Sequence, residues 1–213
     1  LGRWQDVLAD VGECDVILAD PPYAERTHAG FRSGSDANLD DVAKTPHRIA
    51  YDPIGEADVA LFVAAWMPRV RWWAVLFGDH MSFRRWEAAW EAAGWTTFAP
   101  VLWLKGNAPP RFAGDGPQSA AEYLCVARPP HRVRDHSSRP GWYDVRAQAS
   151  NGVVGTKDVS GLRRILSDYT RPGDLVVDPY AGTATVGQAC IETGRRYIGS
   201  ECDPETYAKG LRR

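Results

Sequence analysis

The sequence predicts an α/β fold, a Rossmann-like, doubly wound and mostly parallel sheet, and three observations carry that prediction. Short continuous apolar runs, "CDVILAD", "WWAVLFG" and "DLVVD", read as strands covered on both faces. Amphipathic stretches with apolar residues three and four apart alternate with them, as crossover helices do. Two of the runs end in Asp-Pro, at Asp20 and at Asp178, where a doubly wound sheet binds its ligands.

The 213 residues suit a single domain. The first strand is Cys14 to Asp20; a helix follows over Ala57 to Trp66, then a strand over Trp72 to Gly78. The stretch "SFRRWEAAWEAAG" is a helix because Phe83, Trp86 and Trp90 recur on one face, and Gly94 stops it. Strands over Thr96 to Lys105 and Glu122 to Arg128 have no convincing helix between them, which predicts an antiparallel hairpin at one sheet edge. Helices over Val159 to Tyr169 and Thr185 to Thr193 flank the strand Asp174 to Asp178. The strand "RRYIGSE" and a helix opening at Asp203-Pro204, with proline at an early helical position, finish the chain. Two long segments, Ala24 to Tyr51 and Pro129 to Thr156, read as functional loops.

Composition narrows the function classes. No apolar run is long enough to span a bilayer and no signal-peptide pattern opens the chain, so a cytoplasmic protein without a membrane partner is expected. Cys14, Cys125, Cys190 and Cys202 make no Cys-x-x-Cys pair, and no His cluster stands at ligand spacing; reduced thiols and no metal site are expected. A formal net charge of −2 gives no global signal for nucleic acid, so any such contact must rest on local positive charge. Trp72, Trp73, Trp86 and Trp90 fall on strands or helix faces and read as core.

The turn after Asp178 has ligand-binding features. Gly182 lets backbone approach a ligand, Thr183 and Thr185 offer hydroxyls at a helix start, and Glu201 ends the next strand where a carboxylate can take both hydroxyls of a ribose. Together they fit a nucleoside-bearing cofactor.

The order "DPPY", a variable basic segment, "DPYAGTATVG" and then "YIGSECDPETY" resembles the β class of DNA amino-methyltransferases, N6-adenine type, in which the catalytic motif precedes the S-adenosyl-L-methionine motif. The resemblance runs over most of the chain, through "GRWQDVLADVGECDVILADPPY", "WLKGNAPP", "AEYLCVARP" and "TKDVSGLRRILSDYTRPGDLVVDPYAGTAT". It implies a circularly permuted, seven-stranded sheet in which "LGRWQD" fills the place of a missing strand. It also implies S-adenosyl-L-methionine as cofactor, DNA as partner, a bacterial or phage host, and a place in restriction-modification. The implied cofactor site is Asp6 (beside the adenine), Asp20, Lys157, Asp178, Pro179, Tyr180, Ala181, Gly182, Thr183, Thr185, Glu201 and Cys202. Asp6 reads equally well as a helix cap. The chain departs from the family pattern at Ala184, where a second glycine is common, and at Asp158, where proline usually follows the lysine. The Ala184 methyl is accommodated provided the backbone keeps negative φ.

The implied catalytic group is Asp20, Pro21, Pro22 and Tyr23. An exocyclic amine is a poor nucleophile because its lone pair is delocalised into the base. Acceptors on its N–H bonds favour the rehybridised, attacking state. The Asp20 carboxylate and the Pro21 carbonyl supply two, the prolines restrict the backbone that carries them, and Tyr23 can stack on a flipped base. In the resembling family Asp at the first position goes more often with adenine N6, Ser with cytosine N4. Cytosine N4, an RNA base and a non-catalytic nucleic-acid-binding homologue stay open as alternatives. Arg132, Arg134, Arg139 and Arg146, in the short basic segment 129–156, are the expected target-recognition contacts; Arg26, Arg32 and Arg48 are expected to close over the base or cofactor. So short a segment predicts a short target or a homodimer.

Overall fold

The computed structural model describes residues 1–25, 52–106, 117–145 and 156–212. These form α1 (Trp4–Val7), β1 (Cys14–Ala19), α2 (Glu56–Trp66), β2 (Val70–Gly78), α3 (His80–Ala92), β3 (Thr96–Thr97), β4 (Val101–Lys105), β5 (Ala121–Arg128), β6 (Trp142–Val145), α4 (Val159–Tyr169), β7 (Leu175–Asp178), α5 (Thr185–Glu192), β8 (Arg196–Gly199) and α6 (Pro204–Gly210). The strands make one sheet in the order β6-β4-β5-β2-β1-β7-β8, with β3 also paired to β5. β1 runs parallel to β2 and β7, β7 to β8, and β4 to β6. β5 alone is reversed, antiparallel to β2, β3 and β4.

The apolar runs alternate strictly between two faces. Ile17 and Ala19 of β1, Ala74 and Leu76 of β2, and Cys125 and Ala127 of β5 meet Phe62 and Trp66 of α2 and Phe83, Trp86 and Trp90 of α3. The opposite parity, Val16, Leu18, Val75, Phe77, Leu124 and Val126, meets Leu162, Ile165 and Leu166 of α4 and Val186 and Ala189 of α5. Both faces are therefore dry, which is why these strands read as unbroken apolar runs. The helix after β1 covers one face and the helix after β7 covers the other, so the winding reverses between these two neighbouring strands, and Asp20 and Asp178 sit at that reversal.

Three local expectations change. The sheet has eight strands rather than seven: the expected strand over Thr96 to Lys105 is broken at Phe98–Pro100 into β3 and β4, where Pro100 has no N–H for the ladder, β6 is added, and "LGRWQD" supplies none. The hairpin strand β5 lies inside the sheet, between β2 and β4, and the edge is β6, drawn from a segment expected to be loop. Only Tyr143 and Val145 of β6 point inward, too short an alternation to register as a strand. Finally, "LGRWQD" does dock beyond β8, through Gly2 N–H donating to Glu201 O (2.8 Å) and Trp4 Nε1–H donating to Tyr180 Oη (3.1 Å), but as the single helical turn α1 rather than a strand.

Candidate active site

Parity assembles the acidic end of β1. Asp20 follows Ala19, so its side chain takes the α4 face, the face shared by Phe77, Glu122 and Lys105 in the neighbouring strands. Lys157, directly before Asp158, the residue that caps α4, descends onto the same spot. Its ammonium donates to Asp20 Oδ2 at 2.6 Å and to Tyr23 Oη at 3.1 Å, and lies 3.1 Å from Glu122 Oε2. It also sits 4.8 Å from the Phe77 ring centroid. Lys105 donates to the other Glu122 oxygen at 3.2 Å. Asp20 Oδ1 is buried and has no hydrogen-bond partner among the described residues.

Electrostatics follow from this packing. Burial pushes the Asp20 carboxyl above its usual range, Lys157 pulls it back, and the nearby Glu122 carboxylate raises it again. For Glu122 burial also acts upward, but the ammoniums of Lys157 and then Lys105 win and hold it down to about 2. Burial, then the Asp20 and Glu122 carboxylates, push the Tyr23 phenol well above its usual value, so it stays a proton donor.

The backbone of the Asp20–Tyr23 loop is clamped from two sides. Ile54 N–H donates to Tyr23 O (3.2 Å), and Arg85 of α3 in turn donates to Ile54 O (2.7 Å). Asp79, which follows β2, accepts Ala24 N–H through Oδ2 (3.2 Å) while its Oδ1 caps α3 by accepting Met81 and Ser82 N–H. Asp79, Glu122 and Lys105 were not singled out from sequence. The last two had a signal: a lysine ending one apolar strand and a glutamate near the start of its antiparallel partner.

The second half of the site lies at β7 and β8. Asp178 Oδ1 accepts Tyr180 N–H (3.1 Å) and its Oδ2 is 3.5 Å from Tyr197 Oη. Burial above all, with the Asp20 carboxylate adding to it, pushes Asp178 up to about 8. Glu201 accepts Gly182 N–H at Oε2 (2.9 Å) and Asp203 N–H at Oε1 (2.7 Å), so both oxygens are oriented and each keeps acceptor capacity. Gly182 has φ +54°, and nothing stands within 4 Å of where a Cβ would be. Thr183 and Thr185 are buried, Cys202 is exposed beside Glu201, and Ala181 N–H donates to Ser200 O (2.8 Å). Pro179 O accepts Ser200 Oγ–H (3.0 Å), whereas the Tyr180 ring turns to the opposite face against Phe62. Asp6 is exposed on α1 and caps nothing: the cap position is Arg3.

Ala184 corrects an expectation. Its φ is +57°, in the left-handed region, so the methyl is borne in a strained conformation costing roughly 1–2 kcal/mol. Replacing it by glycine relieves that strain but adds about 0.4–1 kcal/mol of unfolded-state entropy. The expected result for Ala184→Gly is a gain of up to about 1.5 kcal/mol in urea unfolding.

The basic segment is resolved into two groups. Arg134 pairs with both oxygens of Asp174, ahead of β7, and covers Trp72; Arg139 donates to Asp168 O (2.8 Å) and Asp135 Oδ1 (2.8 Å) and lies 4.6 Å from the Trp73 ring centroid. These partners sit at the amino ends of β2 and β7, opposite Asp20. Arg134 and Arg139 thus hold the crossover from β5 to β6, at the end of the sheet away from Asp20. Arg132 is exposed in the same crossover, at the end of the sheet away from Asp20. Arg26, Arg32, Arg48 and Arg146 lie outside the described residues. The segments that contain them, 26–51 and 146–155, join the described chain after the Asp20–Tyr23 loop and after β6, at the Asp20 end of the sheet.

Two acidic strand ends brought together where the winding reverses, one with an unpartnered oxygen and one beside a glycine turn and an oriented carboxylate, place this protein in the class of doubly wound sheets that bind ligands at that point. The chain belongs to the N6/N4 DNA methylase family, whose model matches residues 14–210. It is similar to the Type II methyltransferase M.Cfr9I of Citrobacter freundii, 29% identical over 131 residues, which is 53% of this chain and 42% of that protein. It also matches DNA adenine methyltransferase YhdJ of Escherichia coli strain K12, 46% identical over 52 residues, covering 24% of this chain and 18% of YhdJ. The chain therefore spans less than half the length of these curated relatives. Among solved structures, the M1.HpyAVI–SAM complex shares the fold with a TM-score of 0.71 at 18% identity, over 98% of this chain and 92% of that one. The cytosine-N4-specific PvuII DNA methyltransferase shares it at 0.68 and 14% identity, over 99% and 83%.

Proposed function

We propose that the protein transfers a methyl group from S-adenosyl-L-methionine to the exocyclic N6 amine of an adenine flipped out of DNA. The observation that carries this reading is the buried, unpartnered Asp20 Oδ1. An orphaned acceptor costs about 1–3 kcal/mol, which an incoming N–H donor recovers. Lys157 fixes the other oxygen, so the free one is held in one place. Gripping the amine N–H there favours the attacking lone pair, and the Tyr23 loop, clamped by Ile54 and Asp79, offers the Pro21 carbonyl as a second acceptor.

The residues at β7 and β8 suit the cofactor. The cofactor supplies a methyl on a cationic sulfonium together with a nucleoside. Glu201 is preset to accept ribose hydroxyls, Gly182 leaves room for close approach, and Asp178 is a carboxyl whose charged form has no cation beside it among the described residues. Because burial raises Asp178 to about 8, cofactor affinity measured by equilibrium dialysis should rise as the pH is raised through about 8, where the carboxylate forms. In Asp178→Asn the rise should vanish; an unchanged pH dependence would exclude Asp178 as the cation's partner.

Two features favour adenine: the Asp-type motif at Asp20 and the similarity to a relative named as an adenine methyltransferase. Cytosine N4 is the second reading, because the PvuII enzyme named cytosine-N4-specific shares the fold. DNA phosphates are proposed to meet Arg26, Arg32, Arg48 and Arg146, whose segments join the chain at the Asp20 end. Incubation with labelled S-adenosyl-L-methionine and mixed-sequence DNA, followed by digestion to nucleosides, should give labelled N6-methyladenine. Label in N4-methylcytosine selects the second reading, and none in either base ends both.

A further inference from the structure

We propose that Glu122 is a positioning residue, the second counter-ion that holds the Lys157 ammonium on Asp20 Oδ2 and so keeps Oδ1 bare and in place for the amine. The proposal rests on the reading of Asp20 as the amine's acceptor. Lys157 is 7% exposed and lies between two carboxylates, 2.6 Å from Asp20 Oδ2 and 3.1 Å from Glu122 Oε2. The first contact is the shorter and better aligned; the second is a charge contact of hydrogen-bond length whose alignment is poorer, so Lys157 is shared unequally between the two carboxylates. Glu122 itself is tethered through its other oxygen by Lys105 across the β4–β5 ladder. The four groups, two carboxylates and two ammoniums, are balanced in charge.

That balance matters when substrate arrives. Were Asp20 the sole anion beside Lys157, nothing would hold the ammonium on Oδ2, and it could turn about the carboxylate to cover Oδ1, the acceptor kept for the amine. With Glu122 present, its Oε2 holds the ammonium from the other side, 3.1 Å away, and Oδ1 stays free to bind the N–H. A purely structural Glu122 would serve only as a cross-strand partner for Lys105. The groups that face Asp20 are Lys157 ahead of α4, Glu122 of β5, Tyr23 of its own loop and Asp178 of β7, with Lys105 of β4 behind Glu122.

The test uses the whole chain and DNA, reading kcat and KM for DNA against pH. Glu122→Gln should raise KM roughly tenfold with kcat changed less than about threefold, because the lost interaction serves binding rather than transfer. The acid limb of kcat/KM should move to lower pH, since a carboxylate that favours protonated Asp20 has gone. Lys105→Met should move the same limb to higher pH, because the Glu122 charge is then less neutralised, and Glu122→Asp should restore the direction of the parent profile. If Glu122→Gln does not fold, Lys105→Met and Glu122→Asp decide. Folded variants with the parent's KM and acid limb overturn the proposal alone; a parent that methylates no base removes the reading of Asp20 and this proposal with it.

Discussion

Asp20→Asn is expected to cut the single-turnover rate of methyl transfer by roughly 10²–10³-fold, the loss that follows removal of one preorganised electrostatic partner. Asparagine keeps the size and one acceptor of Asp20. It replaces the other oxygen with a donor, and it removes the charge that stabilises positive charge growing on the amine nitrogen. If the side-chain oxygen stays with Lys157, the new NH2 occupies the position of the orphaned Oδ1 and meets the amine donor to donor. Cofactor affinity should fall far less than the rate, because Glu201, Gly182 and Asp178 are untouched. Quench-flow measurement on the Asn variant at saturating cofactor checks this; a rate within tenfold of the parent would show that Asp20 is not the amine's acceptor.

Lys157→Met has the largest expected effect on stability. Removing one partner of a buried ion pair typically costs about 3–5 kcal/mol, and here one cation neutralises two carboxylates. Lys105 still neutralises part of the Glu122 charge, which argues for the lower end, about 3 kcal/mol at neutral pH. The loss should depend on pH with a defined sign. Asp20 already has a raised folded-state pKa through burial, and without Lys157 it rises further. A carboxyl with a raised folded pKa weakens the fold as pH climbs from its unfolded value through its folded one, so acidification should restore part of the variant's stability. Glu122 works in the opposite sense in the parent: held down to about 2, it contributes stability above the ordinary carboxylate range that is lost as pH falls toward 2. Urea midpoints for parent and variant at neutral and mildly acidic pH separate the two, and a deficit that does not shrink on acidification would contradict the pairing.

The positions of these groups were unequally visible in the chain. Asp20 and Asp178 stood out because each ends a continuous apolar run and precedes proline, a local signature with a local cause. Glu201 followed from its place at the end of the next strand. Glu122 and Lys105 were hidden because the strand pairing that joins them spans the segment 107–116, and Asp79 because it looks like an ordinary helix cap until its second oxygen meets Ala24. The partners of Arg134 and Arg139 were not legible either, because a run of basic residues in a polar segment looks the same whether or not it clamps a crossover; Asp174, Asp135 and the rings of Trp72 and Trp73 meet them only in the fold.

By itself the sequence determined the class of sheet, the two acidic strand ends and the order of motifs, because strand periodicity, proline and glycine act through bonds and neighbours a few residues away. The tertiary structure alone decided that one ammonium, 137 residues along the chain from Asp20, occupies one of its oxygens and leaves the other bare. That outcome depends on which face each strand residue takes, on β5 lying inside the sheet, and on α4 bringing Lys157 down over Phe77. Charges separated by so much chain interact only after packing has fixed their distance and excluded the water that would otherwise screen them.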